Sequence, residues 1–332
     1  MKKIWFSLVV ALFGILPFAF SQAVNIVYSK ASPQSSYAAE MLGRSLSKRG
    51  YTLKEAKADF VIGLAIQSGQ PGAEAYSIVT EGKKITVTGG DERGMIYGSL
   101  SIAEEVRNGA RLENIKPRNE KPNYSLRAVK YDLPWDTYRH SYALDLHYET
   151  CKDLNYWQAF LDMMVENRLN SLSLWNLHPY TFMIKPKNYP EASPFNDAEM
   201  KEWKTLFSGI FRMAKERAID TYIIPFNIFV SPEFSKAHNL DNPQHDFFVK
   251  GDTSALVKRY TRECVTQMLQ EYPEITGMGL TLGEGMAGMT PQQREDWIRE
   301  TIVKGMGLVD RKLKLSSNSI FKYDRFVRNY QH

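Results

Sequence analysis

Gly277-Met278-Gly279-Leu280-Thr281-Leu282-Gly283-Glu284-Gly285-Met286 is the stretch on which the fold turns. The run from Met278 to Leu282 is apolar enough to be buried on both faces, as a parallel strand is. It stops at a carboxylate held between two glycines. Glycine lets the backbone turn sharply where a strand leaves its sheet and leaves room beside the acid for a ligand. In a (β/α) barrel, Glu284 would stand on the rim where that fold builds its sites. The alternative is a loop glutamate with a structural partner.

Working outward, strand and helix patterns alternate over 125–332. Leu126–Asp132, Ser171–Trp175, Thr221–Phe226 and Ile275–Leu282 read as strands, and Leu313–Ser316 as the start of a fifth. Helices are expected over Asp153–Asn167, Asp197–Arg217 (with Asp197 as N-cap), Thr253–Glu271 and Pro291–Val309. Such alternation implies right-handed crossovers and a parallel sheet, either doubly wound or a (β/α)8 barrel. Loops rich in Trp, Tyr, Asn and His after the strands favour the barrel. A full barrel needs eight strand–helix units, and about four to five fit here, so the expectation is a truncated TIM barrel. A genuine half-barrel would leave apolar edges exposed.

The first 21 residues read as an export signal. Lys2 and Lys3 precede an apolar run from Ile4 to Phe20, and Ala19 and Ser21 supply the small residues of a cleavage site. Cleavage before Gln22 or after Ala23 fits, and the expected address is the periplasm or the extracellular space. A membrane anchor is the other reading, but the run is short for a span. Residues 22–114 read as a small accessory α/β sandwich domain, and 115–124, with two prolines and several charges, as a linker. The glycines of Gly89-Gly90-Asp91-Glu92-Arg93-Gly94 lack dinucleotide or phosphate-loop spacing, so they are assigned to close strand–helix packing. The formal net charge of +5 is not gathered into a basic patch, which gives no support to a nucleic-acid partner. Cys151 and Cys264 are expected to be buried thiols. No metal or cofactor signature is present, and oligomeric state is left open.

The stretch Ala75-Tyr76-Ser77-Ile78 through Thr88-Gly89-Gly90-Asp91-Glu92-Arg93-Gly94-Met95-Ile96-Tyr97-Gly98 resembles the domain that precedes the barrel in family 67 α-glucuronidases and family 20 hexosaminidases. Leu282-Gly283-Glu284-Gly285 is similar to the acid-bearing end of the fourth barrel strand in family 67. That resemblance implies a glycoside hydrolase with Glu284 as proton donor. Hexosaminidases carry an Asp directly before the acid. Here Gly283 stands in that place, which argues against substrate-assisted chemistry and for a uronosidase.

The strand ends add Asp132, Trp135, Asp136, Tyr138 and Arg139, then Trp175, Asn176, His178 and Tyr180, then Asn227, Ser231 and Glu233. Aromatic faces stack on pyranose rings, while Asn, His and acids take hydroxyls. Asp132, Trp135, Arg139, Trp175, Asn176, His178 and Asn227 are therefore the expected sugar-binding set. Arg139 or Lys130 would hold a uronate carboxylate. Each has a plainer reading as packing, a turn cap or a surface ion pair. Glycosidases use a second carboxyl group. The resemblance to family 67 implies that it comes from strands beyond the fourth; Asp324 is available there but lies in no recognisable motif, so that group is expected to be missing. The competing readings are a carbohydrate-binding protein without turnover and an inactive gene product.

Overall fold

The computed structural model describes residues 22–135, 137, 141–240, 249–250, 252–281, 283 and 285–317. The stretch read as an export signal lies outside them, as do Asp136, Tyr138, Arg139, Leu282, Glu284 and Asp324.

The first unit runs β1 (Ala23–Val27), α1 (Pro33–Lys48), β2 (Thr52–Leu53), β3 (Phe60–Ile66), β4 (Tyr76–Glu81), β5 (Lys84–Gly89), α2 (Glu92–Arg107) and β6 (Arg118–Glu120). Its sheet has the order β2-β1-β3-β5-β4-β6, with β4 antiparallel to both neighbours. Leu42 and Leu46 of α1 and Ile96, Leu100 and Ala103 of α2 are buried in its core with Phe60, Ile62 and Val87. The strand β6 lies inside the stretch read as a linker. Its residues pair with Tyr76–Ile78 through the backbone, the Tyr76 hydroxyl also donates to the Glu120 carboxylate, and Ile115 ahead of it is buried. The glycine-rich turn packs as expected. Asp91 caps α2 by accepting from the Gly94 amide at 2.8 Å, and a Cβ at Gly94 would come within 2.0 Å of the Ala75 carbonyl oxygen.

The second unit runs β7 (Ala128–Asp132), α3 (Tyr142–Leu146), α4 (Leu154–Glu166), β8 (Ser171–Asn176), α5 (Tyr180–Met183), α6 (Asp197–Glu216), β9 (Asp220–Pro225), β10 (Phe229–Val230), α7 (Pro232–Ala237), β11 (Val249–Lys250), α8 (Ala255–Glu271), β12 (Gly277–Leu280), α9 (Pro291–Ile298), α10 (Lys304–Gly307) and β13 (Lys314–Ser317). The sheet order is β13-β12-β9-β8-β7, every pair parallel, while β10 and β11 form a separate ribbon. Each strand lies beside the next strand of the same sheet in chain order. A doubly wound sheet reverses direction at a switch point, so this sheet is wound one way only.

One face of the sheet, carrying Leu172, Leu174, Ile223, Met278 and Leu280, is buried in one core with Trp157 of α4, Phe207 and Phe211 of α6, and Val265 and Met268 of α8. Both cysteines are buried free thiols. Two helix boundaries differ from expectation. Asn196, not Asp197, caps α6, because its side chain accepts from two amides while Glu199 returns a bond to the Asn196 amide at 2.9 Å. The helix expected over Pro291–Val309 is broken by a π-helical turn at Arg299–Val303. Among the described residues, no helix is long and apolar enough to cross a membrane.

The two units meet at the roots of the parallel strands. Glu74, from the loop before β4, accepts from Arg93 of α2 at 3.0 Å and from Asn170 before β8 at 2.8 Å, and it pairs with Arg127 before β7. Arg93 also reaches Asp220 of β9 at 2.9 Å, and Asp220 reaches Lys314 of β13 at 2.7 Å. Burial works to raise the Asp220 pKa, but Arg93 and Lys314 outweigh it and hold the carboxyl below its usual range. Removing one partner from a buried charge cluster leaves the others uncompensated, which costs about 3–5 kcal/mol. Glu74→Ala is therefore expected to destabilise the chain by about 3 kcal/mol, read as a lower urea midpoint at unchanged slope.

Candidate functional site

On the sheet face turned away from the helices, side chains recur every second residue and line up across strands. One row holds Lys130, Ser173, Tyr222, Gly277 and Lys314. The row nearer the strand ends holds Asp132, Trp175 and Ile224, with Gly279 set against Ile224. The Lys130 ammonium sits 4.3 Å from the Trp175 ring centroid and 3.3 Å from a carboxylate oxygen of Asp132. Trp175 donates its indole N–H to Ser173 Oγ at 3.1 Å, and Ser173 donates to the Val129 carbonyl. Those bonds fix the indole plane. A cation over an indole face is attractive by about 0.5–2 kcal/mol. Burial, then the nearby Asp220 carboxylate, pushes the Tyr222 phenol up to about 12, so it stays a hydrogen-bond donor.

Trp175 continues edge-on into Phe226, and Phe226 into Phe229, with centroids 6.1 and 6.3 Å apart. These rings form a small apolar cluster with Leu177, Tyr222 and Ile224, separate from the main core. The wall ends at the glycine turn that follows β12. Gly283 has φ +132° and Gly285 φ +73°, both in the region that favours glycine. A Cβ at Gly285 would come within 2.1 Å of the Asn227 carbonyl oxygen and 3.3 Å of Phe229. The Met286 amide closes the turn onto the Gly283 carbonyl at 3.0 Å, and Met286 is fully buried.

Of the residues expected to bind sugar, the structure brings Asp132 and Trp175 together on this face. Asn176 and Asn227 stand at strand ends, but their amide groups donate to backbone: Asn176 to the Trp135 carbonyl, Asn227 to the Thr281 carbonyl and, at 3.0 Å, to Thr281 Oγ1. Trp135 does not face the site. It is 2% exposed and packs against Trp203 (4.8 Å), Tyr148 and Phe207. His178 is likewise in the helix layer, 4% exposed, stacked flat on Tyr260, with Nδ1 2.9 Å from Thr181 Oγ1. In both cases the chain turns outward after the strand end and carries the ring over the helices. Arg139 and Glu284 lie outside the described residues. Sequence reasoning passed over Ser173, Tyr222, Phe226 and Phe229. The alternation of Tyr222, Ile224 and Phe226 along one strand face was the available signal.

Burial drives the His178 pKa down to about 3, so the ring is neutral in the fold. An unfolded chain takes up that proton first, near pH 6.5. Stability is therefore expected to fall as pH drops from about 6.5 toward 3, by about 1 kcal/mol per pH unit from this group. Denaturation of His178→Gln across that window is expected to show a shallower acid-side slope than the wild type.

Comparisons with known proteins bear on this geometry. The family model for glycosyl hydrolase family 20, domain 2, matches residues 13–116. None of the curated proteins matches the chain. Among solved structures, the chain is similar to a GH138 enzyme targeting pectin rhamnogalacturonan II, at 28% identity and TM-score 0.74. That match covers 86% of this chain and 33% of the enzyme. It also resembles the β-N-acetylhexosaminidase of Bacteroides fragilis NCTC 9343 (14% identity, TM-score 0.56, 84% of this chain and 56% of that one). The family 20 β-N-acetylhexosaminidase of Streptomyces coelicolor A3(2) is similar too (12% identity, TM-score 0.56, 93% and 67%). The chain thus spans about a third of the GH138 enzyme's length, and the likeness to the hexosaminidases is one of fold. The chain is glycoside-hydrolase-like, over residues 13–116 by sequence and over 86% of its length by structure.

Proposed function

We propose that the chain is an exported glycoside hydrolase, or part of one, that acts on oligosaccharides ending in a uronic acid. The observation that carries the reading is the Lys130–Asp132–Trp175 group on the sheet face turned away from the helices, with the Lys130 and Asp132 side chains part-exposed and Trp175 9% exposed, joined by an aromatic wall to the turn that bears Glu284. In this reading the singly wound sheet belongs to a (β/α)8 barrel, and the face turned away from the helices lines the barrel interior.

The apolar face of a pyranose lies on Trp175. The uronate carboxylate exchanges with Asp132 for the Lys130 ammonium, and Asp132 turns to the ring hydroxyls. Glu284 donates its proton to the glycosidic oxygen as the bond to the anomeric carbon breaks. Water adds to that carbon as a second carboxylate takes its proton, a role that none of the residues assigned here fills. The GH138 enzyme's action on pectin, a polymer built on uronic acids, supports this substrate class. Residues 1–21 supply the export signal of this proposal.

Glu284→Gln is expected to lower hydrolysis of an aryl uronoside by about 10²–10⁴-fold while affinity for the free uronate stays within about threefold, as a positioned proton donor requires. Equal loss of affinity and turnover would sink the acid role. Lys130→Met is expected to weaken uronate binding by about 1.5–3 kcal/mol, the usual worth of a hydrogen bond to a charged group, and to leave the matching neutral sugar unaffected in calorimetric titration. An equal effect on both sugars would remove Lys130 from carboxylate recognition.

A further inference from the structure

We infer that Asn227 is a positioning residue that sets the conformation of the turn after β12, and is not a ligand of the sugar. The role it gives to turnover rests on the proposed function above. The geometric part stands alone.

Asn227 is 4% exposed, so a sugar hydroxyl has little access to its amide. Its donor group reaches forward to the neighbouring strand, where it meets both the carbonyl oxygen and the hydroxyl of Thr281. The Thr281 hydroxyl in turn donates to the Pro225 carbonyl at 3.0 Å. The end of β9 and the residue that follows β12 are thus tied by a closed set of bonds. The backbone of the same asparagine forms the surface against which Gly285 packs, which is why only glycine fits there. One residue therefore holds both sides of the turn: Thr281 through its side chain, Gly285 through its main chain.

Asn176 makes the mirrored tie one strand away. It donates to the Trp135 carbonyl beyond β7, while its own carbonyl accepts from the Phe226 amide at 3.2 Å. Two buried asparagines at the ends of β8 and β9 thus fasten the exits of β7 and β12. A side-chain amide suits this task because it donates without carrying charge, so a buried tie needs no counter-ion.

The test is hydrogen–deuterium exchange on the full 332-residue chain. Asn227→Ala is expected to speed exchange threefold or more in peptides covering 278–289. Peptides covering 128–135 should be unchanged, and Asn176→Ala should show the reverse pattern. Asn227→Ser, which keeps a small donor, serves if the alanine variant does not fold, and is expected to give a smaller effect of the same kind. A change under threefold at 278–289 would overturn the tie. The functional link is read from [δ-13C]glutamate spectra, with the Glu284 signal identified by its loss in Glu284→Gln. Asn227→Ala is expected to move that signal and leave Glu113, in the first unit, in place. An unmoved Glu284 signal alongside faster exchange would confine Asn227 to a structural role. On substrate, the variant should lower kcat and leave KM within twofold. Loss in KM alone would return Asn227 to sugar binding. A wild-type chain that binds uronate without turnover would fail the proposed reaction and leave the exchange result standing.

Discussion

A buried carboxylate, Glu74, ties the two units together, alongside Tyr37, whose hydroxyl donates to Asp162 at 2.9 Å. The Glu74 side chain is 9% exposed and meets two guanidinium groups and a carboxamide. Taking charges out of water costs several kcal/mol per ion, and the loss is recovered only where the geometry is good and every lone pair is used. Here Arg93, Arg127 and Asn170 supply donors from three separate elements. Arg93 spends its remaining hydrogens on Asp220 and the Ala218 carbonyl. The arrangement is complete only when the glycine-rich turn, the root of β7, the root of β8 and the root of β9 stand together.

The two ends of the parallel sheet use different chemistry. At the roots, charges meet charges, and Asp220, Arg93 and Lys314 join three elements. At the exits, the ties are neutral: amide to carbonyl at Asn176 and Asn227, hydroxyl to carbonyl at Thr281. Lys130 and Asp132 pair with each other on the same sheet face that carries Lys314.

Much of the architecture was legible because period and punctuation agree. Phe60–Ile66 is a continuous apolar run bounded by polar residues, and the hairpin of β4 and β5 turns at Glu81-Gly82-Lys83, where Gly82 takes a positive φ. The one-way winding was not carried by the alternation, which doubly wound sheets share; only the loops rich in Trp, Tyr, Asn and His favoured it. Strand β6 escaped because it is a polar edge that contributes backbone and little side-chain packing. At the site, Trp175 and Asp132 were readable from their place at strand ends. Trp135 and His178 were misplaced by the same logic: one or two residues past a strand, the direction of a side chain depends on how the loop returns. The two asparagines were found by type, but their donors go to carbonyls that no sequence pattern marks.

The Glu74 cluster draws its members from segments far apart along the chain, and this makes the peptide connection through 123–126 redundant for holding the units together. A backbone nick in that exposed segment would leave both pieces bound through buried charge. The small first unit therefore acts less as an appendage on a tether than as a keystone, fixing how far apart the strand roots stand and so how wide the opposite end of the sheet can spread.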